Sequence, residues 1–358
     1  MQIPVTEVRP TMRRQKPTDE SGLGFGQYFS NHMFLLDYKE GQGWHNPRVE
    51  PYAPFALEPA AVVLHYAQEV FEGLKAYQGP DNEVALFRPE ENLKRMNRSC
   101  ERICIPAFPE KLVFQGMVKL LEVDADWVPS APGTSLYVRP TIIATEPFLG
   151  VRPANEYLLF IITGPVGAYY ASGFGPVKIL VEDKYIRAAP GGVGEAKTSG
   201  NYAASLKAQQ EAHEKGFTQV LWLDGREKRF VEEVGTSNIF FKFEGELATA
   251  PLDGTILPGV TRDSVLTMAR DMGLTVNERP ITIDEVIEGA ESGRLEEVFG
   301  TGTAAVISPV GGLNYKGREV VIGDGQTGKL SLELFNKLTA YQYGTEQDPY
   351  GWRIVAVE

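Results

Sequence analysis

One stretch constrains the fold of this 358-residue chain more than any other: the run VKILVEDKYIRAA leads into Gly191-Gly192-Val193-Gly194-Glu195-Ala196, then Lys197, then AASLKAQQEAHEKG. The first segment is apolar and β-branched enough for a strand, and the last has helical composition with a glycine stop. Strand, glycine turn, lysine and helix form one unit, and a lysine held at such a junction can act as a covalent catalyst. A nucleotide P-loop is the competing reading, because Gly191, Lys197 and Thr198 are spaced as in GxxxxGKT, but Ala196 replaces the glycine that must precede the lysine. A lone loop lysine is by default a solvated surface residue. Three further small-residue turns set Lys197 apart from that default: Glu233-Val234-Gly235-Thr236-Ser237-Asn238, Leu257-Pro258-Gly259-Val260-Thr261-Arg262 and Phe299-Gly300-Thr301-Gly302-Thr303-Ala304-Ala305. Each has the composition of an anion-binding turn.

The length suffices for two domains of ordinary size, and 43% hydrophobic with 23% charged residues is the balance of a soluble globular protein. A net charge of −12 argues against a nucleic-acid surface, which needs clustered lysine and arginine. MQIPVTEVRPTMRRQKP has no apolar h-region and no later run approaches a membrane span, so a cytoplasmic location is expected. Cys100 and Cys104, one helical turn apart in a segment that reads as helix, are expected to share a face as small core or near-core residues rather than to form a disulfide. With the four histidines scattered, no metal site is expected.

VALFRPEENLKRMNRSCERICIP reads as strand, turn and helix, with Leu93, Met96, Cys100 and Ile103 at helical spacing. EKLVFQGMVKLLEVDADWVP and LSLELFNKLTAYQYG read as further helices, and SLYVRPTIIATE and EYLLFIITGPV as strands. GPVGAYYASGFG suits a linker, which divides the chain into 1–164, linker 165–176 and 177–358. The fold class is mixed α and β, α+β.

Together with FEGLKAY, RMNRSCERICIP and LYVRPTIIATEPFLGV, the Lys197 segment and the three turns resemble fold-type IV aminotransferases, and among them the branched-chain amino-acid aminotransferases. The resemblance spans nearly the whole chain. It implies a homodimer of two-domain subunits with pyridoxal 5'-phosphate between the domains, transferring the amino group of leucine, isoleucine or valine to 2-oxoglutarate. Such a cofactor needs an amine for its aldehyde, a partner for its ring nitrogen and a cup for its phosphate. By the resemblance, Lys197 is the amine and the proton shuttle, Glu233 faces the ring nitrogen, and Tyr202 donates to the phenolic oxygen. Arg95, Thr236, Val260, Thr261 and Thr303 would hold the phosphate, although composition alone leaves Arg88, Arg98 and Arg102 as alternatives to Arg95. Phe29, Tyr66, Phe71 and Tyr137 would form the side-chain pocket, Arg139 would meet the γ-carboxylate of glutamate, and Thr303 and Ala304 the α-carboxylate. Leu149, Val151 and Tyr66 would reach the neighbouring subunit's pocket. The redox CxxC of mammalian relatives is replaced at Ala305 and Ser308, so thiol regulation of that type is not expected.

Other readings compete. A D-amino-acid aminotransferase or aminodeoxychorismate lyase would keep Lys197 and Glu233 but alter the pocket, and FEGLKAY and LYVRPT disfavour both. A degenerate P-loop protein lacks a clear Walker-B partner, and a non-catalytic carrier of the cofactor is at odds with intact Lys197, Tyr202 and Glu233.

Overall fold

The computed structural model describes residues 3–167 and 174–358, so residues 168–173 of the expected linker lie outside the described residues. The chain divides into two units, Met1–Ala171 with Ala196–Ser199 and Ala340–Glu358, and Ser172–Glu195 with Gly200–Thr339. Two segments depart from the sequence expectation of a single C-terminal domain: Lys197 with its neighbours, and the C-terminus, both cluster with the first unit.

Buried strands build the first unit, with alternating burial along part of Ser135–Ala144 and Glu156–Val166. Strands β1 (His32–Lys39), β2 (Gly43–Pro51), β3 (Glu69–Phe71), β4 (Leu74–Gln78), β5 (Val84–Phe87), β6 (Ser135–Ala144) and β7 (Glu156–Val166) join the C-terminal strand Arg353–Val357 in one sheet. Its order is C-terminal strand-β5-β4-β6-β7-β1-β2, with β3 on β6, and its pairs are antiparallel. Leu136 and Val138 of β6 point into the core with Leu74, Ala76 and Phe34. A short helix, α1 (Val62–Tyr66), precedes β3. The longer helices α2 (Pro89–Arg102) and α3 (Glu110–Val123) supply Leu93, Met96, Cys100, Val113, Met117 and Leu120 to that same core. Period-2 alternation then puts Tyr137 and Arg139 on the opposite face. Only Cys100 of the two cysteines is in the core. The helix ends at Arg102, ahead of Pro106, and Cys104 turns into the left-handed region (φ 58°) and is exposed. The two thiols therefore share no helix face.

The second unit contains β8 (Val177–Glu182), β9 (Gln219–Leu223), β10 (Val231–Val234), β11 (Ser237–Phe243), β12 (Glu246–Thr249), β13 (Val276–Glu278), β14 (Leu295–Gly302), β15 (Val306–Tyr315) and β16 (Arg318–Val321). The path β10-β9-β8-β15-β14-β11 closes on itself through β11–β10, while β12 and β13 extend from β11 and β16 hangs from β15. β8 runs parallel to both of its neighbours, and the helix α4 (Ser199–Glu214) makes the crossover to β9. Ala208 and Ala212 of α4 pack on Val220 and Trp222 of β9. The strand expected over VKILVEDKYIRAA is shorter, because the Glu182 carboxylate accepts the amides of Lys184 and Tyr185 and turns the chain there. Three more helices follow: α5 (Val260–Asp271), α6 (Ile283–Ser292) and α7 (Lys329–Tyr343).

Candidate active site

In the first unit, Lys197 is fixed through its backbone. Its N–H donates to Ser99 Oγ of α2 (2.9 Å), its carbonyl accepts from the Phe71 N–H (3.1 Å), and Thr198 forms an isolated bridge with Val70 of β3. Its Nζ lies 5.0 Å from the Phe71 ring centroid, and the Arg139 guanidinium carbon lies 4.7 Å from the same centroid. Arg139 Nη2 also donates to the Tyr137 hydroxyl at 3.0 Å. That hydroxyl lies 2.0 Å from where a Cβ on residue 73 would stand, so only the glycine of FEGLKAY lets β6 lay Tyr137 across β4.

Next to Phe71, Glu72 is fully buried and takes Arg95 in a two-pronged pair, Nε–Oε1 and Nη2–Oε2 both at 2.7 Å, with Asn92 Nδ2 at 2.9 Å. Burial pushes the Glu72 carboxyl up, but the charge and hydrogen bonds of Arg95, the charge of Lys197 and the Asn92 bond outweigh it and hold the group below the usual range. Arg95, read from sequence as a phosphate ligand, is thus braced by an acid inside its own unit. Two buried donors, Thr198 Oγ1 and Arg139 Nε, have no partner among the described residues. Of the other expected pocket residues, Phe29 stacks on Tyr52 at 5.5 Å, whereas Tyr66, Leu149 and Val151 are 43%, 64% and 89% exposed.

The second unit assembles a buried acid on β10. Glu233 Oε2 meets Arg187 Nε at 2.5 Å, and its Oε1 accepts from Asn238 Nδ2 (2.9 Å) and the Leu257 N–H (3.2 Å). Arg187 Nη1 donates to the Thr255 carbonyl (2.8 Å), and Asn238 also donates to the Leu257 carbonyl (2.9 Å). The turns EVGTSN and LPGVTR are therefore tied to one carboxylate. Gly259 caps the start of α5 without a side chain, and a Cβ there would lie 2.0 Å from Asn238 Oδ1. Val260 and Thr261 open that helix, where backbone N–H groups and the helix dipole favour an anion. Thr236 is exposed in the β10–β11 turn. Thr303 and Ala304 sit half-buried in the β14–β15 turn, after Thr301, whose buried Oγ1 has no partner among the described residues. Tyr202 is half-buried on α4, beside Asn201, whose Nδ2 holds the Val193 carbonyl of the glycine-rich turn at 2.8 Å.

Glu72, Ser99, Arg187 and Asn238 complete these clusters, although sequence reasoning singled out none of them. Glu72 and Asn238 lay inside motifs already recognised, FEGLKAY and EVGTSN. A buried acid needs a buried cation, and that rule was the available pointer from Glu233 to Arg187.

Taken by itself, the first unit offers an aromatic-flanked lysine that suits an aldehyde, and the second offers a charge-paired buried acid and a glycine-capped helix start that suit a ring nitrogen and a phosphate. Residues 69–313 match the amino-transferase class IV family. The chain belongs to it. Class IV aminotransferases depend on pyridoxal phosphate. This class IV aminotransferase is 54% identical to branched-chain-amino-acid transaminase 1 of Bacillus subtilis, over 95% of this chain and 96% of that one. To branched-chain-amino-acid aminotransferase 2 of the same organism it is 53% identical, over 96% and 95%. Among solved structures, the T.th. branched-chain amino acid aminotransferase with pyridoxamine 5'-phosphate aligns with a TM-score of 0.74 at 27% identity, covering 90% of this chain and 98% of that one. The mixed α+β fold is shared with these enzymes. With β8 ending at Glu182 and α4 beginning at Ser199, the Lys197 turn lacks the direct strand-to-helix passage of a P-loop.

Proposed function

We propose that the chain is a branched-chain amino-acid transaminase, moving the amino group of leucine, isoleucine or valine reversibly to 2-oxoglutarate, as a cytoplasmic homodimer. One observation carries the specificity: the Lys197 amine and the Arg139 guanidinium lie against the same Phe71 ring, with Tyr137 bonded to the arginine. An aromatic wall accepts a branched apolar side chain, and one cation within it accepts the distal carboxylate of glutamate.

When bound, pyridoxal phosphate supplies an electron-withdrawing ring that makes the substrate α-proton removable. Lys197 would hold the aldehyde of the cofactor, and its amine would be the group that takes and returns a proton at the substrate Cα. Glu233, ion-paired with Arg187, would face the ring nitrogen and favour its protonated form, and Tyr202 would donate to the phenolic oxygen. Arg95, Thr236, Val260, Thr261 and Thr303 would hold the phosphate, and the bracing of Arg95 by Glu72 keeps that guanidinium in a fixed orientation. Thr303 and Ala304 meet the α-carboxylate, while Phe29, Tyr66, Phe71 and Tyr137 receive the side chain.

Arg139→Met tests this reading, since it keeps the stem and removes the charge. kcat/KM for 2-oxoglutarate should fall roughly five- to hundred-fold, the equivalent of about 1–3 kcal/mol, with leucine largely spared. Equal losses for the two substrates would make Arg139 a structural residue and remove the basis for dual recognition.

A further inference from the structure

Next to Glu233, three side chains of the second unit share too few hydrogens. Glu232, the adjacent residue of β10, is 7% exposed. Its Oε1 lies 2.6 Å from Thr255 Oγ1, and the same hydroxyl lies 2.9 Å from Asp253 Oδ1. A hydroxyl has one hydrogen and donates to one carboxylate, so the other contact is a hydrogen bond only if that acid carries a proton. Asp253 is exposed, so water reaches its carboxyl group. Glu232 is buried, and its Oε2 has no partner among the described residues. The guanidinium nearby, Arg187, already places Nε on Glu233 and Nη1 on the Thr255 carbonyl. Two buried carboxylates facing one guanidinium would leave an uncompensated charge.

We propose that Glu232 is a positioning residue that stands as a neutral carboxylic acid in mildly acidic solution, donating to Thr255 Oγ1 while Thr255 donates to Asp253, so that Glu233 is the carboxylate that Arg187 serves. Thr255 is the joint: its hydroxyl senses the proton on Glu232 and its carbonyl anchors Arg187. If Glu232 ionises, the Thr255 hydrogen turns toward it, the link to Asp253 is lost, and a second anion competes for Arg187. The charged groups around Glu232 are Glu233 on its own strand, Asp253 ahead of α5, Arg187 after β8 and Lys228 in the β9–β10 turn. Burial is the largest influence and pushes Glu232 up to about 7; Glu233 and Asp253 add to it, and Thr255 and Arg187 oppose it. A folded-state value above the unfolded one means that this group's stabilising contribution is complete below the ordinary carboxylate range and is lost as pH rises to about 7. The functional meaning rests on Glu233 as the partner of the ring nitrogen, but the proton count does not.

The test uses the apoprotein with carbon-13-labelled glutamate carboxyls, alongside Glu232→Gln, which mimics the neutral acid. One carboxyl resonance should titrate near neutrality and be missing from Glu232→Gln. The melting temperature of the parent should fall relative to Glu232→Gln between about pH 5 and pH 7.5. The dissociation constant for pyridoxal phosphate should match in the two proteins at about pH 6 and be roughly fivefold or more weaker in the parent at about pH 8.5. A Glu232 resonance already ionised at about pH 6, or a melting difference constant with pH, overturns the neutral acid. Equal dissociation constants at the higher pH overturn the positioning role. No branched-chain substrate enters these readouts, so their failure and a failure of the transaminase reading are separable.

Discussion

Glu72 shows how a single buried charge is made tolerable. It is fully buried, and the two bonds from Arg95 with a third from Asn92 leave its carboxylate compensated on both oxygens. Glu72→Gln removes the charge but keeps the shape, leaving Arg95 buried without its counter-ion. Loss of one partner of a buried pair costs about 3–5 kcal/mol, so urea unfolding should shift by that amount, and a change below about 1 kcal/mol would show that Arg95 is solvated. Because the folded carboxyl sits below its ordinary range, its stabilising contribution is present above that range and is lost as pH falls through the folded value. At this scale the sequence was informative about residues inside long motifs and silent about their supports. Lys197 and Glu233 were singled out through GEAKTSGNY and EVGTSN, whereas Arg187 stands in a segment read as strand, with no pattern to mark it.

Elements carry information that single residues do not. The start of α5 is built against Asn238, and Asn238 in turn holds Glu233. Gly259→Ala would press a methyl into Asn238 Oδ1 and displace an amide that also bonds the Leu257 carbonyl. Overpacking of this kind costs about 1–3 kcal/mol, and pyridoxal phosphate should bind roughly five- to hundred-fold more weakly, measured by absorbance titration of the apoprotein. Unchanged binding would mean that the loop relaxes without moving the acid. Helices α2, α3, α4 and α7 were readable from amphipathic period or composition, and β6 and β7 from short apolar runs. The end of β8 was not, since Glu182 stops the strand by side-chain bonding to the next amides, a choice that apolar content does not encode. Cys104 failed for a related reason: spacing continues past Arg102, but the backbone turns left-handed before Pro106.

For the whole molecule, the exposed apolar residues Leu64 and Tyr66 of α1 and Phe148, Leu149 and Val151 of the loop after β6 stand out. The two segments are joined by backbone bonds, Phe148 N–H to the Ala60 carbonyl and Val62 N–H to the Glu146 carbonyl, and Arg152 lies 4.0 Å over the Phe148 ring. A braced apolar patch is the surface expected of a subunit contact. Val151→Asp should shift sedimentation equilibrium toward monomer, with about tenfold weaker association or more, and lower activity at dilute enzyme. A dimer of undiminished strength would place the contact elsewhere. The closure of β11 onto β10 was not readable in the sequence, because ring closure is set by long-range pairing and leaves no local trace. That closure also settles where this protein can accept new sequence. Glu233 lies on a strand bonded on both sides, and the turn that follows it is fixed by its ties, so additions there would disturb the ring. The β15–β16 hairpin is different: its tip, Lys316-Gly317, already adopts the left-handed backbone of a two-residue turn and hangs outside the ring, so lineages of this enzyme can lengthen that tip while the chemistry of β10 is held constant.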